Sequence, residues 1–184
     1  KRSQSGQLHA RFNSPQSDFI AWLNLWQYLE EQRQALSQNQ FRKLCDREFL
    51  SYLRIREWRE VHYQLVVSCR QMKFRVTELK SYEDKYEAIH RALLSGLLGN
   101  IAQQDEGRRF NAARNRKAQV FPASGQYKKP PKWLVAAELV ETSQVFARQC
   151  AAIEPSWLLD TNPALLKRHH YEPTWNARSS RVMA

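Results

Sequence analysis

The spacing of apolar residues changes character a little beyond the middle of the chain. Up to about residue 103, apolar side chains recur at three- and four-residue steps, which is typical of amphipathic helices. After Gly107 the apolar runs are short, and turn-forming residues such as Pro122, Gly125 and Pro130 separate them. The sequence therefore predicts an α+β protein, with a helical bundle over residues 1–103 and a small β-barrel with a C-terminal tail over residues 104–184.

Helical spacing is strongest in three stretches of the first part. Ser17 is the predicted N-cap of the first helix, and Asp18 favours the positive end of its dipole. A short segment, Asn39 to Asp46, precedes the second helix. The predicted helices cover residues 17–36, 48–72 and 82–101. On their apolar stripes we interpret Trp22, Trp26 and Trp58 as core residues.

The second part contains three short segments that favour strands. They are Lys117–Phe121, Trp133–Val140 and Gln144–Ala147. Near the end of the chain, Ala164 to His169 are predicted to form a short closing helix. The strands and turns predict a barrel rather than a continuation of the bundle.

Cysteine and histidine spacing gives no sign of a metal site. Cys45, Cys69 and Cys150 are odd in number and far apart, so we expect reduced, buried thiols and no disulfide framework. The pair His169–His170 lacks nearby ligand residues, and we interpret it as a solvated helix end. No metal ligands are predicted.

Charge is the next constraint on function. The chain carries 29 Lys and Arg against 18 Asp and Glu, a formal net charge of +11, which favours a polyanionic partner such as nucleic acid. An excess of this kind also serves solubility. No run approaches the roughly 18 uncharged apolar residues that a membrane span requires. We therefore predict no membrane partner.

The positive charge is concentrated in one block, residues 108–132. This block has eight cations and no acid, and Phe121, Tyr127 and Trp133 lie within it or next to it. Cations that follow phosphates, with aromatic rings that stack on bases, are typical of single-strand binding. A solvated surface is the alternative interpretation. The cations are Arg108, Arg109, Arg114, Arg116, Lys117, Lys128, Lys129 and Lys132.

A second basic group lies in the helical part but is mixed with acids. Its cations are Arg42, Lys43, Arg47, Arg54, Arg56 and Arg59, and its acids are Asp46, Glu48, Glu57 and Glu60. Charges three or four residues apart pair along a helix surface, so we favour a structural role here. Phosphate contacts by Arg54 or Arg56 remain the alternative.

No catalytic motif accompanies these charges. The sequence has no GxxxxGK[ST], GxGxxG or GxSxG motif, so we predict no catalytic residue. We expect that this fragment alone does not hydrolyse ATP. Its ends, Lys1 and Val182–Ala184, lead us to expect a piece of a longer polypeptide.

Several longer segments resemble a known family. In the helical part these are Ser17–Trp26, Asn39–Cys45 and Phe49–Trp58, which are similar to the helicase-associated, ratchet-like region of bacterial DEAH-box RNA helicases of the HrpA type. In the second part they are Phe121–Gly125, Lys128–Trp133, Glu138–Ser143 and Ile153–Leu158, which are similar to the oligonucleotide-binding (OB) fold that follows in that family.

The resemblance implies an accessory region of an ATP-dependent RNA helicase. Its RecA-like motor lobes, which bind ATP and Mg²⁺, lie elsewhere in the parent chain, so this fragment needs no cofactor. The implied partners are single-stranded RNA, those motor lobes, and the ribosome or a regulatory protein, and the implied location is the cytoplasm. The alternative is a protein-interaction scaffold that docks the motor lobes or a regulatory partner.

The resemblance and the charges together define the expected RNA-binding residues. Lys128, Lys129 and Lys132 are the expected backbone anchors, and Ser124 and Gln126 the expected polar loop contacts. Supplementary phosphate contacts are expected from Arg114, Arg116, Lys117, Arg54 and Arg56.

Overall fold

The computed structural model describes residues 2–161, 174–176 and 181–183. The chain divides into two compact units, residues 1–153 and 154–184. In the described part of the first unit, helices precede strands, and the predicted α+β class is confirmed. Its helices are α1 (Arg2–His9), α2 (Asp18–Ala35), α3 (Gln38–Arg47), α4 (Tyr52–Gln71) and α5 (Tyr86–Gly96). Its strands are β1 (Ile101–Glu106), β2 (Arg109–Ala112), β3 (Arg116–Val120), β4 (Trp133–Glu141) and β5 (Val145–Ala152).

The first predicted helix is confirmed as α2. Its N-cap is Ser17, whose hydroxyl accepts a hydrogen bond from the amide of Ile20 at 3.2 Å. Ile20 and Leu29 are buried along one side of α2, as the spacing predicted. A capped helix with an apolar stripe forms here because both local signals agree.

The prediction of one helix over residues 48–72 is wrong at its start. Residues 39–46 belong to a full helix, α3. A capping box formed by Ser37 and Gln40 stabilises the N-terminus of this helix. The chain then turns at Phe49, which has a left-handed φ of 57°. Ser51 caps the next helix, α4, by accepting from the amide of Arg54. The separation of the two segments was predicted, but the start of α4 was placed four residues too early, because Phe, not the usual Gly, occupies the left-handed position.

The helical core is small, and the tryptophans lie at its margin. Its buried residues are Leu29, Phe41, Leu44, Cys45 and Ile55. Trp26 and Trp58 are half-buried, with ring centroids 4.9 Å apart. Trp22 is 46% exposed, so the prediction that it is a core residue is wrong. Helical spacing identifies a stripe, whereas the neighbouring helices decide how much of that stripe they cover.

The third predicted helix is shorter than expected. The α5 helix covers Tyr86–Gly96, and 3₁₀ turns at Glu83–Lys85 and Leu98–Asn100 flank it. Ile101 already begins β1, so the predicted helix end is wrong. The division of the chain at residue 103 stays a prediction.

The five strands close into a barrel in the order β1-β2-β3-β5-β4. Strands β3 and β5 pair in parallel, and the other neighbours pair antiparallel. The three predicted strands correspond to β3, β4 and β5, while β1 and β2 were not predicted. One aromatic residue, Phe110, fills the interior among small side chains. The other members of the barrel core are Ala102, Val120, Leu134, Ala136, Ala147 and Cys150.

The second unit is described over three elements. Helix α6 covers Pro155–Thr161, and strands β6 (Thr174–Asn176) and β7 (Arg181–Met183) pair antiparallel. The predicted closing helix over residues 164–169 and the pair His169–His170 lie outside the described residues.

Within the first unit, the segment before α2 joins the helices to the barrel. Ser17 forms a β-bridge with Ala151, and the amide of Ala152 donates to the carbonyl of Gln16 at 2.8 Å. The hydroxyl of Tyr86 lies 3.0 and 2.7 Å from the carbonyl oxygens of Gln16 and Ala152, to which it donates. The segment therefore pairs with the end of β5, while its residue Ser17 caps α2.

The same junction contains a fully buried histidine. His90 is 0% exposed, and its Nδ1 lies 2.6 Å from the carbonyl oxygen of Tyr86. A carbonyl only accepts, so Nδ1 carries the proton and Nε2 accepts from the Ser17 hydroxyl at 2.6 Å. Burial lowers the pKa of His90, although the Tyr86 carbonyl and the charge of Glu83 oppose the shift. His90 is therefore neutral in the folded protein.

We expect this histidine to weaken the fold at acidic pH. The unfolded chain binds the His90 proton below a pH of about 6.5, whereas the folded chain resists it, so stability falls as pH drops below that value. The limiting slope for one proton is about 1.4 kcal/mol per pH unit. Urea unfolding between about pH 7.5 and 5 should show a shallower slope for His90→Gln than for the unsubstituted protein. An equal slope in the variant and in the unsubstituted protein would contradict the prediction.

Candidate nucleic-acid interface

The outer surface of the barrel has a polar row that crosses adjacent strands. Gln103 on β1 lies opposite Asn111 on β2, and Asn111 lies opposite Lys117 on β3. On the other side of β1, Gln103 lies opposite Trp133 on β4. Amides, a cation and an indole therefore lie in register on neighbouring strands. A flat surface of this composition suits stacking and hydrogen bonding with unpaired bases.

Lys117, a predicted RNA contact, already has a protein partner. Its Nζ donates to Asp105 Oδ2 at 2.9 Å and also to Asn111 Oδ1. The hydrogen bond and charge of Lys117 lower the pKa of Asp105, so the carboxylate stays ionised. Part of the charge of Lys117 is thus neutralised before any ligand binds.

The loop between β3 and β4, residues 121–132, carries three cations; we call it the lysine loop. Lys128, Lys129 and Lys132 are exposed, and none forms an ion pair with another described residue. At its end, the amide of Gln104 donates to the carbonyl of Lys132 at 2.7 Å. The loop therefore presents uncompensated positive charge from an anchored backbone.

Tyr127 holds the centre of the lysine loop against the β1–β2 turn. The guanidinium of Arg108 lies 4.4 Å from the Tyr127 ring centroid and donates to its hydroxyl at 3.1 Å. Beside it, Arg109 pairs with Glu106 at 2.6 Å. Arg108 and Arg109 are therefore engaged within the protein, whereas the three lysines of the lysine loop are not.

Two other predicted contacts lie in the β2–β3 turn. Arg114 is exposed with a left-handed φ of 61°, and Asn115 follows with a φ of 55°. Arg116 is half-buried, and its Nε donates to the carbonyl of Ala113 at 3.2 Å. The turn therefore presents Arg114 to solvent and holds Arg116 against the backbone.

Ser124 and Gln126, the predicted polar loop contacts, are engaged inside the protein. Gln126 is 2% exposed, and its Nε2 reaches the carbonyl of Pro15 at 3.5 Å. Ser124 is half-buried and donates from its hydroxyl to Asp18 Oδ2. We therefore correct the predicted role of Gln126, because its side chain offers no surface to RNA in this conformation.

The carboxylate of Asp18 organises this end of the lysine loop. Its Oδ2 also accepts from the amide of Cys150 at 2.8 Å, and its Oδ1 accepts from the amide of Gly125 at 2.9 Å. A Cβ on Gly125 would lie 3.1 Å from Oδ1, so this close approach favours glycine. Burial and the nearby Asp18 charge raise the pKa of the Cys150 thiol to about 12, which keeps it protonated.

The two predicted contacts in the helical part differ in their surroundings. Arg54 pairs with Glu57 at 3.0 Å on an exposed surface, as the structural interpretation predicted. Arg56 lines a cleft between the helices together with Arg59 and Tyr52. Glu30 neutralises part of the positive charge of this cleft, since its Oε1 lies 2.6 Å from the Nε of Arg59.

Sequence reasoning missed a cleft where α2 meets the barrel; we call it the junction cleft. It has a volume of about 310 Å³ and includes Trp22, Phe121 and Arg148. The guanidinium of Arg148 lies 4.6 Å from the Phe121 ring centroid, and it pairs with Glu138 at 3.6 Å. Phe121 and Arg148 are far apart in the sequence, and the parallel pairing of β3 with β5 brings them together. No local sequence pattern therefore predicts the cleft.

Two features of residues 2–161 bear on catalytic and metal chemistry. The hydroxyl of Ser17 and the imidazole of His90 form a hydrogen bond at 2.6 Å, but both residues are 0% exposed, so a substrate has no access to them. No group of three or more His, Cys, Asp or Glu residues is placed to hold a metal ion in that range. None of the helices there combines the length and hydropathy that crossing a bilayer demands.

The barrel geometry and the comparisons agree on the class of domain. A five-stranded barrel in the order β1-β2-β3-β5-β4 is the arrangement of the OB-fold. Residues 89–165 match the family model of the oligonucleotide/oligosaccharide-binding (OB)-fold, OB_NTP_bind. The second part of the chain therefore has an OB-fold, as predicted, and it is similar to this family over the matched residues.

The whole chain resembles a region of known helicases. It is 43% identical over 185 aligned positions to the ATP-dependent RNA helicase HrpA of Escherichia coli, and equally to the HrpA homolog of Haemophilus influenzae. It is 29% identical over 89% of its length to the probable ATP-dependent RNA helicase DHX35 of Homo sapiens, of which it covers 22%. The predicted resemblance to HrpA-type helicases is confirmed. The chain spans 14% of the length of the two bacterial relatives.

Proposed function

We propose that the chain is the RNA-gripping accessory region of an ATP-dependent RNA helicase. The observation that carries this proposal is the lysine loop, whose three exposed cations form no ion pair with described residues and lie on an OB-fold barrel. Relatives named as RNA helicases align with the whole chain, which supports RNA as the polyanion. The ligand class that fits is single-stranded RNA.

In this mechanism the positive charge binds the RNA backbone, and the barrel surface receives the bases. Lys128, Lys129 and Lys132 bind consecutive phosphates, while Pro130 and Pro131 restrict the loop and reduce the entropy lost on binding. The polar row of Gln103, Asn111 and Lys117 lies on the adjoining strands.

Motion along RNA would come from the rest of the polypeptide. Motor lobes that bind ATP and Mg²⁺ change their separation during each ATP cycle, and this region keeps its grip between steps. The chain's own contribution is binding and orientation of the strand. Cytoplasmic location, and contact with the ribosome or a regulatory protein, belong to the same proposal.

Removing two loop lysines tests the proposal. Lys128→Ala combined with Lys129→Ala should weaken binding to a single-stranded RNA of about a dozen nucleotides by roughly tenfold at low salt, because two phosphate contacts are lost. The slope of log K against log salt should fall by about 1.4, since each single-strand contact contributes about 0.7. Fluorescence anisotropy at several salt concentrations measures both quantities.

A matched variant controls for net charge. Lys43→Ala with Lys80→Ala removes the same charge from exposed positions outside the lysine loop, and it should change the affinity and the salt slope much less. Equal losses in both double variants would mean that the charge acts only non-specifically. An unchanged affinity in the loop variant would remove the lysine loop from the RNA site.

A second candidate function rests on the exposed apolar surface of α4. Val61 and Leu65, which lie one turn apart on α4, are 53% and 60% exposed, and Met72 just after the helix is 61% exposed. Such a concentration of apolar side chains marks an interaction surface. The proposed occupant is another domain of the same polypeptide, since the bacterial relatives are several times longer than this chain. Absence of RNA binding at low salt would favour this scaffold function over RNA gripping.

A further inference from the structure

The junction cleft has the size and lining of a site for one planar group. Its volume of about 310 Å³ is near the lower end of the range for small-molecule sites. The N-terminal segment, α2, the start of the lysine loop and β5 form its walls. All four belong to the first compact unit, so the cleft lies within a single folded body.

Aromatic rings are present on both the helical and the barrel side of the cleft. Trp22 contributes from α2 and is 46% exposed, although it lies on an apolar stripe. The Trp58 ring holds it edge-to-face, with centroids 5.8 Å apart and planes at 88°. Phe121 contributes from the barrel side, and Phe146 holds it similarly at 5.7 Å and 87°. Half-buried neighbours thus orient the two rings of Trp22 and Phe121, neither of which is fully buried.

Polar groups complete the lining. Asn13 and Gln149 are exposed amides that line the cleft, and neither side chain has a hydrogen-bond partner among the described residues. Gln149 has a left-handed φ of 54° within a strand, a conformation that is rare for residues other than glycine. Paired donors and acceptors on a side-chain amide match the edge of a nucleobase.

The lining of the cleft includes one acid and one arginine. Three neutral protein donors hold the carboxylate of Asp18 in place. The guanidinium of Arg148 lies over the Phe121 ring and contributes positive charge to the same lining.

The cleft continues into the lysine loop. Phe121 and residues 123–125 form one wall of the cleft, and Lys128 and Lys129 follow three to four residues later in the same loop. A strand whose phosphates lie on these lysines would pass the mouth of the cleft. Stacking on aromatic side chains is the usual way in which proteins hold an unpaired base.

We propose that the junction cleft binds one unpaired base of the single-stranded RNA that the lysine loop holds. The proposal rests on the proposed RNA-gripping function and adds a subsite to it. Trp22 and Phe121 provide the stacking surfaces, Asn13 and Gln149 contact the base edge, and Arg148 positions the Phe121 ring. The site accepts any base, since stacking is tolerant of sequence.

An abasic scan tests this subsite. A single-stranded RNA of about a dozen nucleotides is prepared intact and with one abasic ribose placed at each position in turn, and affinities are measured by anisotropy. The unsubstituted protein should lose about 5- to 20-fold in affinity when the missing base is the one that enters the cleft, a loss typical of base–aromatic stacking. Trp22→Leu combined with Phe121→Leu should bind all oligonucleotides within about twofold of one another, because the ring surfaces are gone.

Control variants separate this inference from the proposed function. Phe74→Leu changes an aromatic residue that is 62% exposed and outside the cleft lining, and it should keep the position-dependent loss. The Lys128→Ala, Lys129→Ala variant should weaken every oligonucleotide by a similar factor. Salt-dependent binding without any sensitive position would overturn the cleft subsite alone. Persistence of the loss in the Trp22→Leu, Phe121→Leu variant, with circular dichroism confirming the fold, would also overturn it, and no RNA binding at all would overturn both proposals.

Discussion

Replacing Asp18 by Ala is expected to lower the free energy of unfolding by about 3 to 4 kcal/mol. The carboxylate accepts hydrogen bonds from the Ser124 hydroxyl and from the amides of Gly125 and Cys150. Bonds to an ionised acceptor contribute about 1.5 to 3 kcal/mol each, but they are not additive when they share a partner. The amide of Cys150, a buried residue, would lose its partner. Urea unfolding followed by circular dichroism measures the loss.

Two further variants show whether the hydrogen bonds are the cause. Asp18→Asn keeps the volume but turns an amide NH₂ towards one of the two backbone donors, so it should recover less than half of the lost free energy. Asp46→Ala removes an exposed acid from α3 and should change the stability by at most about 0.5 kcal/mol. Similar stabilities for Asp18→Ala and the unsubstituted protein would show that the junction between α2 and the lysine loop is not a stabilising contact.

Phe110→Ala is expected to cost about 3 to 5 kcal/mol, the usual range for an aromatic side chain removed from a core. Phe110 is 0% exposed at the centre of the barrel. Many of its core neighbours are alanines, which are too short to move into the space that it leaves. The urea midpoint should fall with little change in the slope, since a similar surface is exposed on unfolding.

A graded series provides the control for this core prediction. Phe110→Leu should cost less than Phe110→Ala, because most of the buried volume remains. Phe74→Ala removes the same ring from a position that is 62% exposed, and its effect should stay within about 0.5 kcal/mol. A loss for Phe74→Ala as large as that for Phe110→Ala would contradict the assignment of Phe110 as the centre of the core.

Local sequence patterns were sufficient to predict several helices and strands. Ser17 at the start of a helical stripe predicted α2, and the β-branched segments between prolines predicted β3 to β5. Strands β1 and β2 were missed because Gln103, Gln104 and Asn111 have polar side chains with weak strand preference. Their strand structure comes from pairing around the closed barrel rather than from local preference.

The candidate site was likewise predicted only where it depends on local sequence. The charge pattern located the basic block that contains Lys128, Lys129 and Lys132, and the resemblance suggested their roles, which remain predictions. Gln126 was assigned to the same surface as a polar loop contact that the resemblance implied. Its burial follows from contact with the segment before α2, more than a hundred residues earlier in the chain. Sequence spacing does not report such a contact.

Local sequence patterns were sufficient to predict the order of helices before strands, the first helix cap and the position of the basic block, because each depends on residues close together in the chain. The tertiary structure alone decided which of the charged and aromatic residues remain available to a ligand. Asp18 meets Ser124, and Phe121 meets Arg148, only after the barrel has closed against α2. Burial and pairing are properties of contacts between distant segments, so the junction cleft exists in the folded chain and has no counterpart in the linear sequence.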